Sequence, residues 1–478
     1  MCFAAQLDGR DCGTVNRFGL ASSNKKYERM TLSMLRSMIV GLSLVVHSAV
    51  AATTAIVNVN ILPMDADRLL TGQTIIVEGH EIVAIGNVDV VPVPKGIEIV
   101  DGTDRYLMPG LAELHAHVPD AQSPNLDRYF TLFVANGITT VRGMLGQASH
   151  LALRQHLLDG KTFGPRLITS GPSLNGRSVN GAADGRRQVR QQHSAGYDFI
   201  KIHPGLDAAE FSAIAETANG LGIPFAGHVP VAVGVANALA LEMATIDHLD
   251  GYFAALLPAD DVGAGGYGGF FDVLLADRLV ESRIAEIAVR TASAGTWNVP
   301  TQTLFEQLVS AESVTDLMMR PEMRYMPEET ARQWASAKEQ QLGERGFSLD
   351  VGARAIEIRR KLIRALHEAG AGILLGSDAP QIFNVPGFSL HRELDLLVVA
   401  GLAPYDALVA GTRAAGEFLG TNAGIVAVGR EADLLLLDAN PLVDIGNSRR
   451  IHGVMLRGNW LSAAELDRRL AAYRTADR

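Results

Sequence analysis

Short strand-like stretches occupy both ends of the chain. From residue 53 to about residue 104, runs rich in Val and Ile are bounded by Gly, Asp or Pro, which is typical of strands joined by turns. These runs are AIVNVNIL (55–62), TIIVEG (74–79), EIVAIG (81–86) and IEIV (97–100). A similar pattern returns in ADLLLLDA (432–439) and HGVMLRG (452–458). The two ends therefore predict one small β-sandwich domain built from residues 53–106 and 421–465, with a C-terminal tail at 466–478.

The middle of the chain alternates strand-like and helix-like segments. The candidate strands are LAELHAH (111–117), GITTVRG (137–143), PRLITSG (165–171), DFIKIH (198–203), IPFAGHV (223–229), ATIDHLD (244–250), WNVPTQT (297–303) and GILLGSD (372–378). Helical candidates include residues 208–222 and 277–295. Eight strand–helix units imply parallel pairing and predict an α/β fold, a (β/α)8 TIM barrel over residues 107–420. A doubly wound open sheet is the alternative.

Two connections break this regular spacing. Residues 260–270 (DDVGAGGYGGF) are too rich in Gly to predict a helix. Residues 304–350 form a longer connection than βα loops usually do. Because βα loops frame the active site of a barrel, both are candidate lids. A plain structural insertion is the alternative for each.

The first 52 residues carry a different signal. The apolar run MIVGLSLVV (38–46) precedes the small residues SAVAA (48–52). The basic residues ahead of it are Lys25, Lys26, Arg29 and Arg36. This arrangement predicts a cleaved secretory signal peptide, since the run is too short to span a membrane. We expect an exported protein, periplasmic or secreted, with translation beginning at Met1 or Met30. An uncleaved N-terminal anchor is the alternative.

Composition excludes several classes of protein. Hydrophobic residues make up 47% of the chain and charged residues 20%, which excludes wholesale disorder. The net charge of −10 argues against nucleic acid as a partner, because phosphate binding needs clustered Lys and Arg. Cys2 and Cys12 both precede the predicted cleavage site, so neither a disulfide framework nor a Cys-based zinc site is expected.

Metal-competent side chains stand at the ends of five predicted strands. His115 and His117 are two residues apart on one strand, so both imidazoles can share a face. His228, His248 and Asp378 end three further strands. In a barrel these ends meet in one mouth, and imidazole and carboxylate are ligands of Zn²⁺ and related ions. Each residue alone is more often a satisfied polar group, but the joint pattern indicates a metal site.

Lys201 ends the predicted strand DFIKIH, where an unpaired ammonium would be costly. Burial lowers the pKa of a lysine, and the neutral amine can react with carbon dioxide to give a carbamate with two metal-binding oxygens. An ion pair with a strand-end carboxylate is the alternative.

These residues resemble the amidohydrolase superfamily, specifically its binuclear-metal branch of imidazolonepropionase-like and Xaa-Pro dipeptidase-like enzymes. The motifs that carry the resemblance are PGLAELHAH (109–117), FIKIH (199–203), AGHV (226–229), DHLD (247–250), GSDAP (376–380) and GREADLLLLDANPL (429–442). It covers residues from about 53 to 465.

The resemblance implies a ligand set and a reaction. His115, His117 and Asp378 would hold the more buried of two divalent ions, and His228 and His248 the more exposed one. Carbamylated Lys201 and a hydroxide would bridge them, with zinc expected and manganese or cobalt as alternatives. Asp378 would also carry protons, with His248 as a second catalytic residue.

The expected function is hydrolysis of a C–N bond in a small amide, lactam or dipeptide-like substrate. A lactonase or phosphotriesterase on the same metal site and a non-catalytic scaffold are the alternatives. Candidate substrate contacts are Arg142, Arg177, His203 and Tyr252. Pro230 stands where dipeptidase-like members often carry a Tyr, which puts capture of an α-carboxylate there in doubt. No membrane contact beyond export is expected, and a homo-oligomer is compatible with the sequence.

Overall fold

The computed structural model describes residues 53–261 and 268–474. The predicted signal peptide and the centre of the Gly-rich connection lie outside these residues. Within them, no helix has both the length and the apolar character required to cross a membrane.

Strands fall into three sheets. In chain order they are β1 (Thr53–Ile61), β2 (Leu70–Glu78), β3 (Glu81–Asn87), β4 (Glu98–Asp101), β5 (Tyr106–Pro109), β6 (Leu111–Ala116), β7 (Ile138–Gly143), β8 (Arg166–Thr169), β9 (Ile200–Ile202), β10 (Phe225–Gly227), β11 (Thr245–Asp247), β12 (Trp297–Val299), β13 (Leu434–Leu437), β14 (Ile451–Leu456) and β15 (Asn459–Ser462).

One sheet joins the two ends of the chain. Its order is β15-β14-β13-β5-β1-β2-β3, with β4 paired to β1. The junction is antiparallel pairing of β13 with β5, in which Leu434 lies opposite Pro109 and Leu437 opposite Tyr106. All four leucines of β13 are buried. The alternation of Val and Ile in β1 and β2 places Ile56, Ile75 and their neighbours in a compact apolar core beneath this sheet.

The remaining strands are parallel. They form a three-stranded sheet, β6-β7-β8, and a four-stranded sheet, β12-β11-β10-β9. Every residue of β6 and β7 is buried, as expected of parallel strands covered on both faces. Each parallel strand is followed by helix before the next one in the described chain, which confirms the predicted α/β fold.

Helices occupy the connections. They are α1 (Leu126–Ala135), α2 (Ser149–Leu158), α3 (Ala182–Ala195), α4 (Ala208–Leu221), α5 (Gly234–Ala240), α6 (Tyr252–Ala255), α7 (Ile284–Ser293), α8 (Gln302–Val309), α9 (Val314–Met318), α10 (Glu328–Leu342), α11 (Leu349–Glu368), α12 (Phe388–Ala400), α13 (Pro404–Ala410), α14 (Arg413–Leu419) and α15 (Ala463–Ala471). Short 3₁₀ helices span Ala259–Asp261, Phe270–Arg278, Glu281–Arg283, Pro321–Tyr325 and Ile445–Arg449.

Two sequence predictions of local structure were wrong. The helix expected at 277–295 begins only at Ile284, because Leu279 and Val280 are extended and interrupt it. The long connection at 304–350 is mostly helical: the Ser313 hydroxyl accepts the Asp316 N–H to start α9, and Pro327 precedes α10. Residues 466–471 of the predicted C-terminal tail lie in α15.

The eighth predicted strand, at 372–378, is also not a regular strand. This segment makes a single bridge from Ile373 to Asn298 of β12. Just beyond it, Ala379 makes a second single bridge to Ala116 of β6. The extended conformation ends at Asp378, whose φ of 63° lies in the left-handed region. The segment still lies between β12 and β6, since Leu374 N–H donates to the Asn298 carbonyl and Leu114 N–H to that of Leu375.

Candidate metal centre

Five of the predicted metal ligands lie in a parallel strand or directly after one, and Asp378 lies in the segment between β12 and β6. His115 lies near the end of β6 and Lys201 in the middle of the short strand β9. His117, His228 and His248 directly follow β6, β10 and β11, respectively. Asp378 ends the predicted eighth strand, at 372–378. Because parallel strands present their carboxyl ends at one edge, these side chains come close together.

Asp378 is the centre of the group. Its Oδ1 lies 3.0 Å from Nε2 of His117 and 3.5 Å from Nε2 of His115. Its Oδ2 lies 3.8 Å from Nδ1 of His248. His115, His248 and Asp378 each offer a ligand atom within 4.8 Å of the others, and all three are buried. These three residues form the tightest potential metal site in the described part of the chain.

Lys201 and His228 adjoin this cluster from one side. Nζ of Lys201 lies 3.4 Å from Nε2 of His115. The His228 ring reaches the group through the ring of His248, with centroids 4.7 Å apart. The structure thus brings all six predicted ligands into one neighbourhood, with His228 at its margin.

Two glycines make room for these side chains. A Cβ on Gly227 would lie 2.4 Å from the Ile202 carbonyl oxygen and 2.9 Å from Cδ of Lys201. A Cβ on Gly376 would lie 2.9 Å from the backbone nitrogen of His115. The glycines in the motifs AGHV and GSDAP therefore allow the close approach of the strands that carry the ligands.

Backbone strain is concentrated at the same place. His248 (φ 63°), Asp378 (φ 63°) and Thr301 (φ 47°) all adopt left-handed conformations. Such conformations cost non-glycine residues about 1–3 kcal/mol each and persist where the surroundings enforce them. Here the Thr301 hydroxyl lies 2.9 Å from Nδ1 of His248.

Burial shifts the ionisation of the cluster toward neutral nitrogen bases. Burial lowers the pKa of His115 and of His248 well below the ordinary histidine value, and it lowers the pKa of His228 to about 3. The charge of Lys201 makes a smaller contribution in the same direction. Burial also lowers the pKa of Lys201 to about 8, against the opposing effect of Asp247 and Asp378. Neutral imidazoles keep a lone pair for a metal, and a lysine with a lowered pKa supplies neutral amine near neutrality.

This donor set fits a divalent cation. Two buried imidazoles and a carboxylate each offer a ligand atom within 4.8 Å of the others, and this is the mixture of nitrogen and oxygen atoms that Zn²⁺ binds. Nε2 of His115 faces this group, at 3.5 Å from Oδ1 of Asp378. The geometry therefore supports metal binding.

Several supporting residues were missed by the sequence analysis. Asp247 Oδ2 lies 2.8 Å from Nδ1 of His115, and Asp250 Oδ2 lies 3.0 Å from Nδ1 of His228. Both carboxylates flank His248 in the motif DHLD, so the signal was present in residues already singled out. Gln381 Nε2 donates to Oδ1 of Asp378 at 3.2 Å, and nothing in the sequence pattern marked it.

Glu113 was missed as well. Its buried carboxylate accepts the backbone N–H of His115 at 3.0 Å and that of Ser377 at 2.8 Å. Burial raises the pKa of Glu113 to about 8. This side chain ties β6 to the segment that carries Asp378.

The predicted substrate contacts fall into two groups. Arg142 and Tyr252 have no exposed surface, and the Tyr252 hydroxyl lies 2.8 Å from Oδ1 of Asn298. His203 is half-buried with its ring centroid 4.7 Å from that of His228, and Arg177 is exposed. Only the second group reaches solvent near the strand ends.

An aromatic residue that the sequence did not indicate covers two of the histidines. The Phe271 ring stacks on His248, with centroids 5.0 Å apart, and lies 6.2 Å from His228. It supplies an apolar surface directly beside the cluster.

Known proteins match this chain at the level of sequence. The model of the Amidohydrolase family matches residues 106–461. A 5-methylthioadenosine/S-adenosylhomocysteine deaminase from Caldanaerobacter subterraneus subsp. tengcongensis is 40% identical over 61 residues. That stretch is 13% of this chain and only 14% of the deaminase.

Solved structures share the fold over most of the chain. Bottromycin amidohydrolase is 24% identical with a TM-score of 0.69, covering 88% of this chain and 90% of its own. A Xaa-Pro dipeptidase with bound methionine in the active site is 19% identical with a TM-score of 0.62, covering 86% of this chain and 100% of its own. At these identities the likeness is one of fold.

Proposed function

Because the chain belongs to the amidohydrolase family, we propose that it is a metal-dependent hydrolase that cleaves the C–N bond of a small amide, lactam or dipeptide-like molecule. The resemblance seen in the sequence motifs is thereby confirmed for the family, and a hydrolase acting on C–N bonds is its reaction class. One observation carries the proposal: an imidazole nitrogen of His115, one of His248 and a carboxylate oxygen of Asp378 all lie within 4.8 Å of one another.

The proposed scaffold is a (β/α)8 barrel over residues 107–420 with a β-sandwich from residues 53–106 and 421–465. Regular pairing does not close the ring of parallel strands. Three single bridges support closure, because they link the sheet edges in sequence: Ser170 to Phe199, Asn298 to Ile373, and Ala116 to Ala379. In such a ring the six ligand candidates line one mouth.

Two divalent ions, zinc by preference with manganese or cobalt as alternatives, are the proposed cofactors. His115, His117 and Asp378 would hold one ion, and His228 and His248 would hold the other. Lys201, as a carbamate, would bind both ions. The lowered pKa of Lys201 supports this role, since carbamate formation requires the neutral amine.

The chemistry that divalent cations supply in such a site is to lower the pKa of water and to polarise a carbonyl. Asp378 is the proposed proton carrier. Its carboxylate takes a proton from the attacking water as the C–O bond forms, then returns it to the leaving nitrogen as the C–N bond breaks. Gln381, which donates to Oδ1 of Asp378, keeps the carboxylate oriented. His248 is the proposed contact to the substrate carbonyl.

The substrate is proposed to be small and partly apolar. Phe271 offers an aromatic face beside His248, while His203 and Arg177 supply polar contacts at the rim. We keep Arg142 and Tyr252 out of the substrate contacts, because both are fully buried and bonded within the protein.

Export remains part of the proposal. The basic, apolar and small-residue segments within residues 1–52 support a cleaved signal peptide. Sequencing the N-terminus of the mature protein tests it: a start after residue 46 is expected, and a start before Met38 would contradict it.

Activity screening tests the function. Protein purified without chelator would be assayed against dipeptides, N-acyl amino acids, lactams, lactones and aryl phosphotriesters, then again after chelation and after return of Zn²⁺, Mn²⁺ or Co²⁺. We expect turnover of an amide or lactam that chelation abolishes and metal restores. Turnover confined to lactones or phosphotriesters would contradict the proposed bond type, and turnover unaffected by chelation would contradict metal dependence.

A further inference from the structure

A buried carboxylate lies beside Nδ1 of His115, and its Oδ2 is also 4.0 Å from Nζ of Lys201. Oδ2 of Asp247 is 2.8 Å from Nδ1 of His115. The other nitrogen of the ring, Nε2, faces Asp378 at 3.5 Å and Lys201 at 3.4 Å. Nδ1 of His115 therefore has Asp247 as its near carboxylate, at 2.8 Å, whereas Nε2 faces Lys201 and the more distant carboxylate of Asp378.

Arg142 neutralises and fixes this carboxylate. Its Nη2 lies 3.2 Å and 3.5 Å from the two oxygens of Asp247, and its Nε donates to the Leu114 carbonyl at 2.5 Å. The hydroxyl of Thr245 donates to Oδ1 of Asp247 at 2.6 Å. Arg142 and Asp247 both have no exposed surface. A charge pair this deeply buried costs desolvation and is weak evidence of a stabilising role by itself.

The guanidinium is also held by aromatic rings. The Arg142 Cζ lies 5.4 Å from the ring centroids of Phe199 and of Phe418. With aromatic contacts and hydrogen bonds on several sides, the arginine has little freedom to move toward a substrate. Its bonds to the Leu114 carbonyl and the Thr245 hydroxyl hold the guanidinium where it orients Asp247.

We propose that the Arg142–Asp247 pair is a positioning device that keeps the proton of His115 on Nδ1 and so presents the Nε2 lone pair to the metal. The inference rests on the proposed metal-dependent function. A neutral imidazole has one donor nitrogen and one acceptor nitrogen, and a carboxylate beside Nδ1 favours the proton there. The 2.8 Å between Nδ1 and Oδ2 of Asp247 is short enough for the carboxylate to stabilise a proton on that nitrogen.

Zinc affinity tests this role apart from catalysis. The dissociation constant for Zn²⁺ would be measured by competition with a chelating dye for the wild type, Asp247→Asn, Arg142→Gln and the double variant. Loss of such a partner weakens metal binding about 10–100-fold, and we expect this in each variant. The double variant leaves no unpaired buried charge, which favours its folding if a single variant fails.

Asp433→Asn is the matched control. Asp433 is another buried carboxylate near an arginine, with Oδ2 3.8 Å from Nη2 of Arg166. It lies far from the ligands, because its backbone carbonyl accepts the N–H of Gly110 just before β6, at the opposite end of that strand from His115. We expect its zinc affinity to equal that of the wild type. Wild-type affinity in any folded Asp247 or Arg142 variant would overturn the proposal. Absence of zinc binding to the wild type would instead contradict the proposed function.

A measurement on the wild-type chain avoids any dependence on folding of the variants. Two-bond ¹⁵N–¹H spectra of histidine-labelled, zinc-loaded protein report which ring nitrogen carries the proton, and comparison with His115→Gln assigns the signal. We expect protonated Nδ1 for His115. A proton on Nε2 would overturn the proposal.

Discussion

Nε2 of His117 lies 3.0 Å from Oδ1 of Asp378, so the beginning and the end of the predicted barrel meet at one polar contact. The backbone repeats the connection: His117 N–H donates to the Ala379 carbonyl, and Asp378 N–H donates to the His115 carbonyl, both at 2.8 Å. The position of Asp378 is therefore fixed by main-chain bonds that do not depend on the charge of its side chain.

This relationship makes Asp378→Asn a clean test of the proton carrier. The amide keeps the size and one oxygen but cannot accept and return a proton, so we expect the turnover number to fall about 10²–10⁴-fold. Most of the bound metal should remain. Turnover measured against any substrate found by screening, together with metal analysis of the same sample, checks both expectations.

Asp89→Asn, an exposed carboxylate replaced in the same way, is the control and should behave as the wild type. Near-wild-type turnover in Asp378→Asn would rule out the assigned role.

Gly227→Ala tests the packing that brings Lys201 into the site. Gly227 has a φ of 125°, and a Cβ there would lie 2.4 Å from the Ile202 carbonyl oxygen. We expect the free energy of unfolding to fall by about 2–4 kcal/mol, with loss of bound metal as Lys201 is displaced. Denaturant unfolding and metal analysis measure the two effects.

The control is Gly220→Ala near the end of α4, where a Cβ meets nothing within 4 Å. Since glycine weakens a helix, this change should stabilise the protein by about 0.5–1 kcal/mol. Equal effects of the two substitutions would mean that the close approach at Gly227 has no special importance.

His391 should contribute to loss of stability in acid. The imidazole is buried, with Nε2 at 2.9 Å from the Asn136 carbonyl oxygen and Nδ1 at 2.9 Å from the Ser448 hydroxyl. Burial, with the Arg449 charge adding to it, lowers the pKa of His391 to about 4. The unfolded chain has an ordinary histidine pKa of about 6.5 and binds this proton first.

Stability should therefore be lost as the pH falls from about 6.5 toward 4. At pH 5 the difference between the folded and unfolded pKa of His391 lowers the free energy of unfolding by about 2 kcal/mol. Unfolding free energies of the wild type and His391→Gln at pH 7.5 and pH 5 measure it. We expect the variant to be less stable at pH 7.5 but to lose less stability on acidification. Parallel pH profiles would contradict the assignment.

The proximity of the strand-end residues could be predicted from the sequence because their geometry follows from periodicity. Residues two apart on a strand share a face, which brought His115 and His117 to the same edge, and parallel strands put His228 and His248 beside them. The family motifs included Asp378 although its segment is not a regular strand. What could not be predicted is which groups lie behind the ligands, because that depends on packing between strands distant in sequence.

Arg142 illustrates the limit. Its place at the end of β7 suggested a substrate contact, yet its side chain turns inward to Asp247, a residue 105 positions away. Asp247 itself stands next to a predicted ligand, but alternation along the strand points it to a different neighbour. The helices within 304–350 were missed for another reason. The prediction rested on the length of the connection and did not use Ser313 and Pro327, which directly precede α9 and α10.

Metal content per chain tests the central claim most directly. Wild type and Lys201→Ala would be purified without chelator, with bicarbonate present, and analysed for bound divalent ions. Lys338→Ala is the matched control, because Lys338 is also buried but donates to the carbonyls of Gln307 and Ser310. We predict about two ions per chain in the wild type and in the control, with a clear loss in Lys201→Ala. Equal metal in all three proteins would contradict a bridging role for Lys201, and no metal in the wild type would contradict the account as a whole.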